Sequence, residues 1–546
     1  MQNIRLFERL PPDERPTKEQ LAYIVSPFTQ NSSLVAYAAS GKTNTVLLKI
    51  LYHIRQGELL PSQFVLCSYT NVACNEMVER GNALAAKLGI ENGVISIFDR
   101  SVNCVTIDKL AIKLMDAFLD KVKKMYKQLK QKLPLPYKGV SKLRSIAFLK
   151  PLLDVHFPVI DDKKSEGCED DEDDSEDENE GKRHEVHKGG KEFEFLHASF
   201  KDVYTNLKLI IVDEAQDTKI DYFMFVKKIR AICHQYFQHD LFIHLVGDVN
   251  QQLYGYCSMK QLFDHSDEKN TYSLCQNFRN SRAICELANA MMPTVCTYLG
   301  PLGYTSAYDK KMEPMRMFQG QKPKLFAHRD ITVSLQSAIE WIKSSPDILQ
   351  GDIAFIVPKR DLGTQLSTML SSTVFGYSHQ MMFTKESDDV GMDDDDPEDE
   401  LKPKKRKKGT SKGQIIHSTT QLQPEKFLQI FTIHGSKGLK FDTVILLGFY
   451  KSTWNIPVSK YTINTEWQFE RFWFTAVTRA MNNLGIVVST GFDLWQQTNK
   501  IKHLLDDHNS QLSNCTVGAS EAKYFDKDRL IDSVHTVVKF GNQVSN

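Results

Sequence analysis

One short stretch of this 546-residue chain, Ala36-Tyr37-Ala38-Ala39-Ser40-Gly41-Lys42-Thr43, holds the residue types that grip a phosphate. Apolar Leu34-Val35 precedes it and Thr45-Val46-Leu47-Leu48-Lys49-Ile50 follows, which reads as strand, loop and helix. A loop that opens a helix aims backbone N–H groups and the positive end of the helix dipole at an anion. There Lys42 can reach the β- and γ-phosphates of a nucleoside triphosphate such as ATP, and the Thr43 hydroxyl is offered to Mg²⁺. Glycine is usual where Ala36 stands, and Tyr37 and Ala39 add bulk to the loop, so a plain strand-to-helix turn with an exposed lysine is the alternative reading. A second stretch, Leu207-Lys208-Leu209-Ile210-Ile211-Val212, ends in Asp213-Glu214-Ala215-Gln216-Asp217. It puts carboxylates at the carboxyl end of a buried parallel strand, where open α/β sheets bind ligands. Asp213 would hold Mg²⁺, directly or through water, and Glu214 would orient and activate the attacking water. The plainer alternative is a strand followed by an acidic helix start.

The elements that must position these residues follow from pattern. Thr17 is a plausible N-cap for an amphipathic helix carrying Gln20, a candidate adenine reader. Phe64 to Ser68 is a buried strand ending in Tyr69, Thr70 and Asn71, and a helix begins near Val72. Val105-Thr106-Ile107-Asp108 opens another segment, and residues 108–155 read as lysine-rich helices forming an inserted subdomain. The strand Leu241 to Val246 leads into Gly247-Asp248-Val249-Asn250-Gln251-Gln252-Leu253-Tyr254-Gly255-Tyr256, and Gln276-Asn277-Phe278-Arg279 lies beyond. Asp352 to Val357 followed by a helix starts a second core domain.

Composition narrows the class. With 41% hydrophobic and 10% aromatic residues the chain can bury several cores, and its length suggests roughly three or four domains. No run approaches the roughly 18 apolar residues a membrane span needs. The opening Met1-Gln2-Asn3-Ile4-Arg5 has no apolar signal core, so a cytosolic or nuclear protein with no membrane partner is expected. Ten cysteines without a CxxC pair suit reduced thiols and no structural metal. The formal net charge of zero hides two blocks: residues 161–180 hold 13 acids and 2 lysines, and 386–412 hold 10 acids and 7 Lys or Arg. Without them 59 basic residues face 45 acidic ones, an excess that suits a polyanion, a partnerless basic surface being the alternative. Both blocks are expected to be disordered. Lys402-Pro403-Lys404-Lys405-Arg406-Lys407-Lys408 reads as a nuclear import signal that an import receptor would bind, or as a nonspecific nucleic-acid contact.

Taken in order, the loop, the Asp213 to Asp217 run, the Gly247 to Tyr256 segment and Gln276 to Arg279 resemble the UvrD/Rep family of superfamily 1 DNA helicases. Thr432-Ile433-His434-Gly435-Ser436-Lys437-Gly438-Leu439-Lys440-Phe441 and Val477-Thr478-Arg479-Ala480 are similar to its fifth and sixth motifs, so the match runs from Gln20 to Ala480. The resemblance implies an α/β fold of two RecA-like parallel-sheet motor domains, with a helical insertion in the first and a reduced, largely disordered insertion in the second. The expected division is 1–104 and 201–270 for the first domain, 105–200 for its insertion with an acidic loop at 161–190, 271–376 and 427–500 for the second, 377–426 for the charged insertion and 501–546 for a tail.

By the same resemblance Gln251 is a γ-phosphate sensor, Arg279 and Arg479 are arginine fingers, Phe278 stacks on adenine, and Gly438 belongs with the nucleotide-binding residues. Tyr69 and Tyr256 occupy positions of base-stacking aromatics, with an aromatic packed at a strand end as the alternative; Thr70, Asn71, Thr106 and His434 are further nucleic-acid candidates. The implied activity is ATP-driven 3′ to 5′ translocation on single-stranded DNA and unwinding of tailed duplexes. Cradle and fingers would lie on different domains, so binding and hydrolysis would close and release them. Cys257 stands where the family has arginine and Lys440 where it has glutamate. With Tyr37 and Ala39 they prompt a rival, a nucleic-acid-binding scaffold whose motor has decayed, and an RNA helicase is a further alternative. A helicase-nuclease is disfavoured, because the 66 residues after Ala480 show no clustered carboxylates.

Overall fold

The computed structural model describes residues 2–68, 70–90, 96–130, 146–158, 190–253, 270–291, 311–316, 318–372, 377–383, 414–416, 428–448, 465–489 and 535–538. The chain divides into two compact units. One comprises Met1–Val35, Lys42–Gly247 and Tyr256–Leu274, the other Ala36–Gly41, Asp248–Gly255 and Cys275–Asn546.

In the first unit the short apolar runs become β1 (Ser32–Ala36), β2 (Phe64–Ser68), β3 (Cys104–Thr106), β4 (Leu209–Val212) and β5 (Phe242–Gly247), joined by β6 (Thr271–Leu274). The sheet order is β3-β2-β4-β5-β1-β6. The pairs among β1 to β5 are parallel, with Leu34 opposite Val246, Ile211 opposite His244 and Leu66 opposite both Ile211 and Cys104. Every residue of β1, β2 and β4 is buried, the pattern of strands covered on both faces. Parallel pairing sends the carboxyl ends of β1, β4 and β5 to one edge, which is how Asp213 and Gly247 come to leave the sheet together. β6 comes from a stretch expected in the second domain.

Seven helices serve this sheet: α1 (Lys18–Ile24), α2 (Lys42–Arg55), α3 (Asn71–Leu88), α4 (Ile107–Gln128), α5 (Ile146–His156), α6 (Lys191–Tyr204) and α7 (Ile220–Phe237). The expected helical insertion opens on β3, which still belongs to the sheet, and its helices start at Ile107. Within it the Tyr204 hydroxyl donates to the Leu110 carbonyl at 2.9 Å and the Phe200 and Phe237 rings stack at 5.5 Å.

The second unit builds a sheet in the order β12-β11-β13-β10-β14-β15-β9-β16, while β7 (Gln276–Asn277) and β8 (Glu313–Pro314) pair separately. Its strands are β9 (Lys324–His328), β10 (Ile353–Val357), β11 (His379–Met381), β12 (Gln414–Ile416), β13 (Leu428–Thr432), β14 (Phe441–Leu447), β15 (Ala480–Ser489) and β16 (His535–Val538). Only the β11 and β12 pair is antiparallel among those described. The side-chain period of two splits the core: Ala354 and Ile356 enter a cluster with Phe472 and Trp473 of the helix Thr465–Val477. Ile353, Phe355 and Val357 enter another with Leu335 and Trp341 of the helix Ile331–Lys343.

Two expectations are corrected here. Residues 377–426 are not a featureless insertion, since β11 and β12 come from them; the charged block 386–412 itself lies outside the described residues, as does 161–180. The expected tail contributes β16, which pairs in parallel with β9, Val537 opposite Phe326. Neither was foreseeable from local periodicity, because edge pairing of a short strand depends on a distant partner. Among the described residues no helix is long and apolar enough to cross a membrane. Cys67, Cys74, Cys104, Cys233, Cys275 and Cys285 are free and buried, and burial pushes the thiols of Cys104, Cys233 and Cys285 up to about 12.

The seating of α3 on the first sheet gives a direct test. A Cβ on Gly81 would lie 2.5 Å from the Phe98 ring, which is fully buried and packed edge-on to Phe64 at 5.7 Å. Gly81→Ala is expected to destabilise the first unit by about 1–3 kcal/mol, the usual range for overpacking. A urea midpoint at or above that of the wild type would show that the ring can give way.

Candidate nucleotide site

The first unit brings four of the expected chemical groups together. Lys42 is the first residue of α2, so its ammonium extends from the helix end where N–H groups lack intrahelical partners. Its Nζ lies 3.5 Å from Glu214 Oε1. The Thr43 hydroxyl donates to Asp213 Oδ2 at 3.1 Å, and Asp213 Oδ1 accepts from the Glu214 backbone N–H at 3.0 Å. Glu214 takes a left-handed φ of 53°, which turns the chain sharply off β4. Gln216 Nε2 donates to Glu214 Oε2 at 2.5 Å and to Asp217 Oδ2 at 3.1 Å, so a glutamine not singled out from sequence orients the expected water activator. A Cβ on Gly247 would meet Gln216 Oε1 at 2.4 Å, so this glycine at the end of β5 is required by close approach.

Burial and the Glu214 carboxylate raise the Asp213 carboxyl to about 7, against the lowering effects of Lys42, the Glu214 N–H and Thr43. Two adjacent carboxylates with one ammonium make a hard-oxygen site short of positive charge, which fits a divalent cation. Among the described residues no group of three or more His, Cys, Asp or Glu could hold a metal alone. A Mg²⁺ ion at Thr43 and Asp213 would therefore take most of its ligands from phosphate and water, as that ion usually does. The donor set fits a Mg²⁺ nucleotide.

In the second unit the loop residues behave differently from what their bulk suggested. Tyr37 and Ala38 are buried in the apolar cluster that holds Leu253, Cys275 and Ile284. Ala39 takes a left-handed φ of 58° and Gly41 one of 80°, while Ala36 ends β1 and Ser40 is buried. Asp248 accepts from the Asn250 N–H at 3.0 Å and from Gln251 Nε2 at 2.7 Å. Gln251 Oε1 in turn accepts from Arg479 Nη2 at 2.9 Å. Arg479, only 2% exposed, also donates to the carbonyls of Thr475 at 3.0 Å and Leu439 at 3.3 Å. The expected sensor and one expected finger are thus hydrogen-bonded to each other. Phe278 is 42% exposed, and its N–H donates to the Ala39 carbonyl at 3.1 Å, which leaves an aromatic face open beside the loop. Arg279 is half-buried on the same turn, and Gly438 takes a left-handed φ of 81°.

The remaining expected residues scatter. Gln20 is the N3 residue of a capping box, its Oε1 accepting from the Thr17 N–H at 3.0 Å, which gives this candidate adenine reader a local structural role. Thr70 caps α3, and Asn71 Oδ1 accepts from Arg100 Nη2 at 2.5 Å. Arg100 was missed; its guanidinium also holds the Cys104 carbonyl at 2.8 Å, so it ties β3 to the start of α3. Thr106 stands at the N-cap of α4. His434 is desolvated beside Phe472, their rings 5.8 Å apart, and its imidazole falls to about 4, so it is neutral at pH 7. Tyr69, Tyr256 and Cys257 lie outside the described residues.

Fold and geometry define a phosphate-loop α/β protein with paired carboxylates at the edge of a parallel sheet. Residues 17–184 match the UvrD/REP helicase N-terminal domain, and in that part the chain is UvrD/Rep-like. A relative from Acanthamoeba polyphaga mimivirus, "Putative ATP-dependent DNA helicase R568", is 22% identical over 478 residues, which make up 87% of this chain and 53% of that protein. The chain spans about half the length of that relative.

Beneath α2 lies a buried cation. Lys49 Nζ donates to the carbonyls of Tyr23 at 2.8 Å and Ser26 at 2.5 Å and to Ser26 Oγ at 2.8 Å, which pins α1 to the helix that carries Lys42. Loss of water pulls its ammonium down from 10.5 to about 7. Between those values the unfolded chain binds more protons, so this group makes stability rise with pH and fall again as pH drops toward 7. Lys49→Met should flatten the rise of urea-unfolding free energy across that window relative to the wild type. Identical slopes in the two proteins would contradict this.

Proposed function

We propose that this protein is an ATP-dependent DNA helicase that translocates 3′ to 5′ on single-stranded DNA, separates tailed duplexes, and acts in replication, repair or recombination. The observation that carries the reading is the convergence of Lys42, Thr43, Asp213 and Glu214 at one sheet edge in a part of the chain that matches the UvrD/REP helicase N-terminal domain. The relative from mimivirus, described as an ATP-dependent DNA helicase, supports the same activity.

The chemistry assigned to the chain is positioning and charge stabilisation. Bound Mg²⁺ and ATP supply the metal charge and the bond to be hydrolysed. Lys42 neutralises phosphate charge, and Thr43 with Asp213 holds the metal. Glu214, oriented by Gln216, accepts a proton from the attacking water at a carboxylate oxygen. Gln251, Arg279 and Arg479 supply the sensor and the cations for charge developing on the γ-phosphate. Phe278 stacks on the adenine, and Tyr69 and Tyr256 stack on bases of the strand. Lys402 to Lys408 direct the protein to the nucleus.

The decayed-motor alternative draws part of its support from Tyr37 and Ala39. Tyr37 places its bulk in an apolar core and Ala39 takes a left-handed φ, so neither residue argues against a working cradle.

Lys42→Ala is expected to abolish DNA-stimulated ATP hydrolysis while single-strand affinity stays within a few fold, because cradle and base-stacking residues are distinct. Turnover at the wild-type rate in this variant would refute the loop assignment. Tyr256→Ala should weaken single-strand binding by about 1–3 kcal/mol, the range for one lost stacking platform. Fluorescence anisotropy on a labelled oligonucleotide measures both affinities, and an unchanged affinity for Tyr256→Ala would remove that residue from the interface.

A further inference from the structure

The turn that carries Phe278 and Arg279 is built by two fully buried asparagines, Asn277 and Asn280. Asn277 Oδ1 accepts from the backbone N–H groups of Arg279 at 3.0 Å and Asn280 at 2.9 Å, an Asx-type turn that fixes the path of the finger. Its Nδ2 donates to the phosphate-loop carbonyl of Ala38 at 3.0 Å and to Asn280 Oδ1 at 2.7 Å. Asn280 Nδ2 then donates to the carbonyls of Thr478, at 3.1 Å, and Ala480, the residues on either side of Arg479. The seam continues outward: the Ser281 N–H donates to the Met481 carbonyl at 2.8 Å, and Arg316 Nη1 donates to the Arg279 carbonyl at 2.8 Å and Asn482 Oδ1 at 2.9 Å. The backbones that carry two arginines 200 positions apart in sequence are thereby stitched side by side.

We propose that Asn280 is a positioning residue for nucleotide hydrolysis, setting the spacing of Arg279 and Arg479, with Asn277 extending the same hold to the phosphate loop. The proposal rests on the ATPase reading above. Magnitudes favour this role over plain stabilisation. Each amide hydrogen bond contributes only about 1 kcal/mol net to folding, whereas a displacement of about 1 Å at a catalytic group can cost about a hundredfold in rate. Only a side chain with two donors and an acceptor on one short stem can bridge both carbonyls and Asn277 together. Aspartate has the same shape but would set its oxygens against the Thr478 and Ala480 carbonyls, and serine retains one donor.

The test uses the full-length chain and a single-stranded oligonucleotide as activator. Asn280→Asp should lower kcat for ATP about ten- to a hundredfold, with KM for ATP, oligonucleotide affinity and the thermal midpoint little changed. Asn280→Ser should lose less. Combined with Arg479→Ala, Asn280→Asp should add almost nothing, since a positioning residue acts through the group it places. Full turnover in Asn280→Asp, a loss that multiplies in full with that of Arg479→Ala, or a loss matched by a collapsed thermal midpoint would each overturn the proposal while leaving the ATPase reading intact. Absence of DNA-stimulated turnover in the wild type would overturn both.

Discussion

Two carboxylates on neighbouring residues, at the end of a strand buried along its whole length, form the constraint around which the first unit is built. Asp213 is nearly inaccessible to water, and Glu214 places a second negative charge beside it. Lys42 alone pairs with this couple at 3.5 Å, and the carboxyl of Asp213 rises to about 7. A stability argument alone would replace such a pair with apolar side chains, because uncompensated buried charge is costly. Its presence at the carboxyl edge of a parallel sheet, with a helix N-terminus at Lys42, makes sense when a cation and a polyanion arrive together.

The surrounding elements serve that constraint by holding its members still. Lys49 ties α1 to α2 through three oxygen acceptors, so the helix behind Lys42 is anchored one and a half to two turns from its start. Gln216 takes both Glu214 and Asp217, and Gly247 leaves it the room to do so. In the second unit Arg479 is buried against oxygens of Gln251, Thr475, Thr478 and Leu439. A guanidinium can be held in this way because it keeps its charge in almost any environment and its five donors fork toward several acceptors at once. Lys49, a softer cation, is instead drawn down to about 7.

What the sequence made legible was local in origin. Apolar runs of four to six residues gave β1, β2, β4, β5 and β10, and the carboxylates after β4 lie where the strand's end required. Lys42, Thr43, Asp213 and Glu214 meet because each sits at a strand end whose direction the parallel pattern fixes. The residues that escaped notice share a different property. Asn277, Asn280, Arg100 and Gln216 look like ordinary polar residues until their partners are known, and for the two asparagines those partners lie about 200 positions away. β12 and β16, three and four residues long, had no periodicity to read and owe their existence to the strands they pair with. Short edge strands are set by tertiary context more than by propensity.

The phosphate loop shows how a departure from a pattern can be absorbed. Glycine is favoured in such loops for positive φ and for close backbone approach. Positive φ is reached at Gly41, where it is free of strain, and at Ala39, where the left-handed conformation costs about 1–2 kcal/mol. That cost has a structural counterweight: the Ala39 carbonyl accepts from Phe278 N–H at 3.1 Å and the Ala38 carbonyl from Asn277 Nδ2 at 3.0 Å, while Tyr37 fills an apolar cluster. An aromatic at position 37 therefore contributes hydrophobic burial of about 1.5–3 kcal/mol to a core, enough to offset the strained alanine two residues on. The bulk that made the loop look atypical as a string of letters is part of what holds its backbone in place.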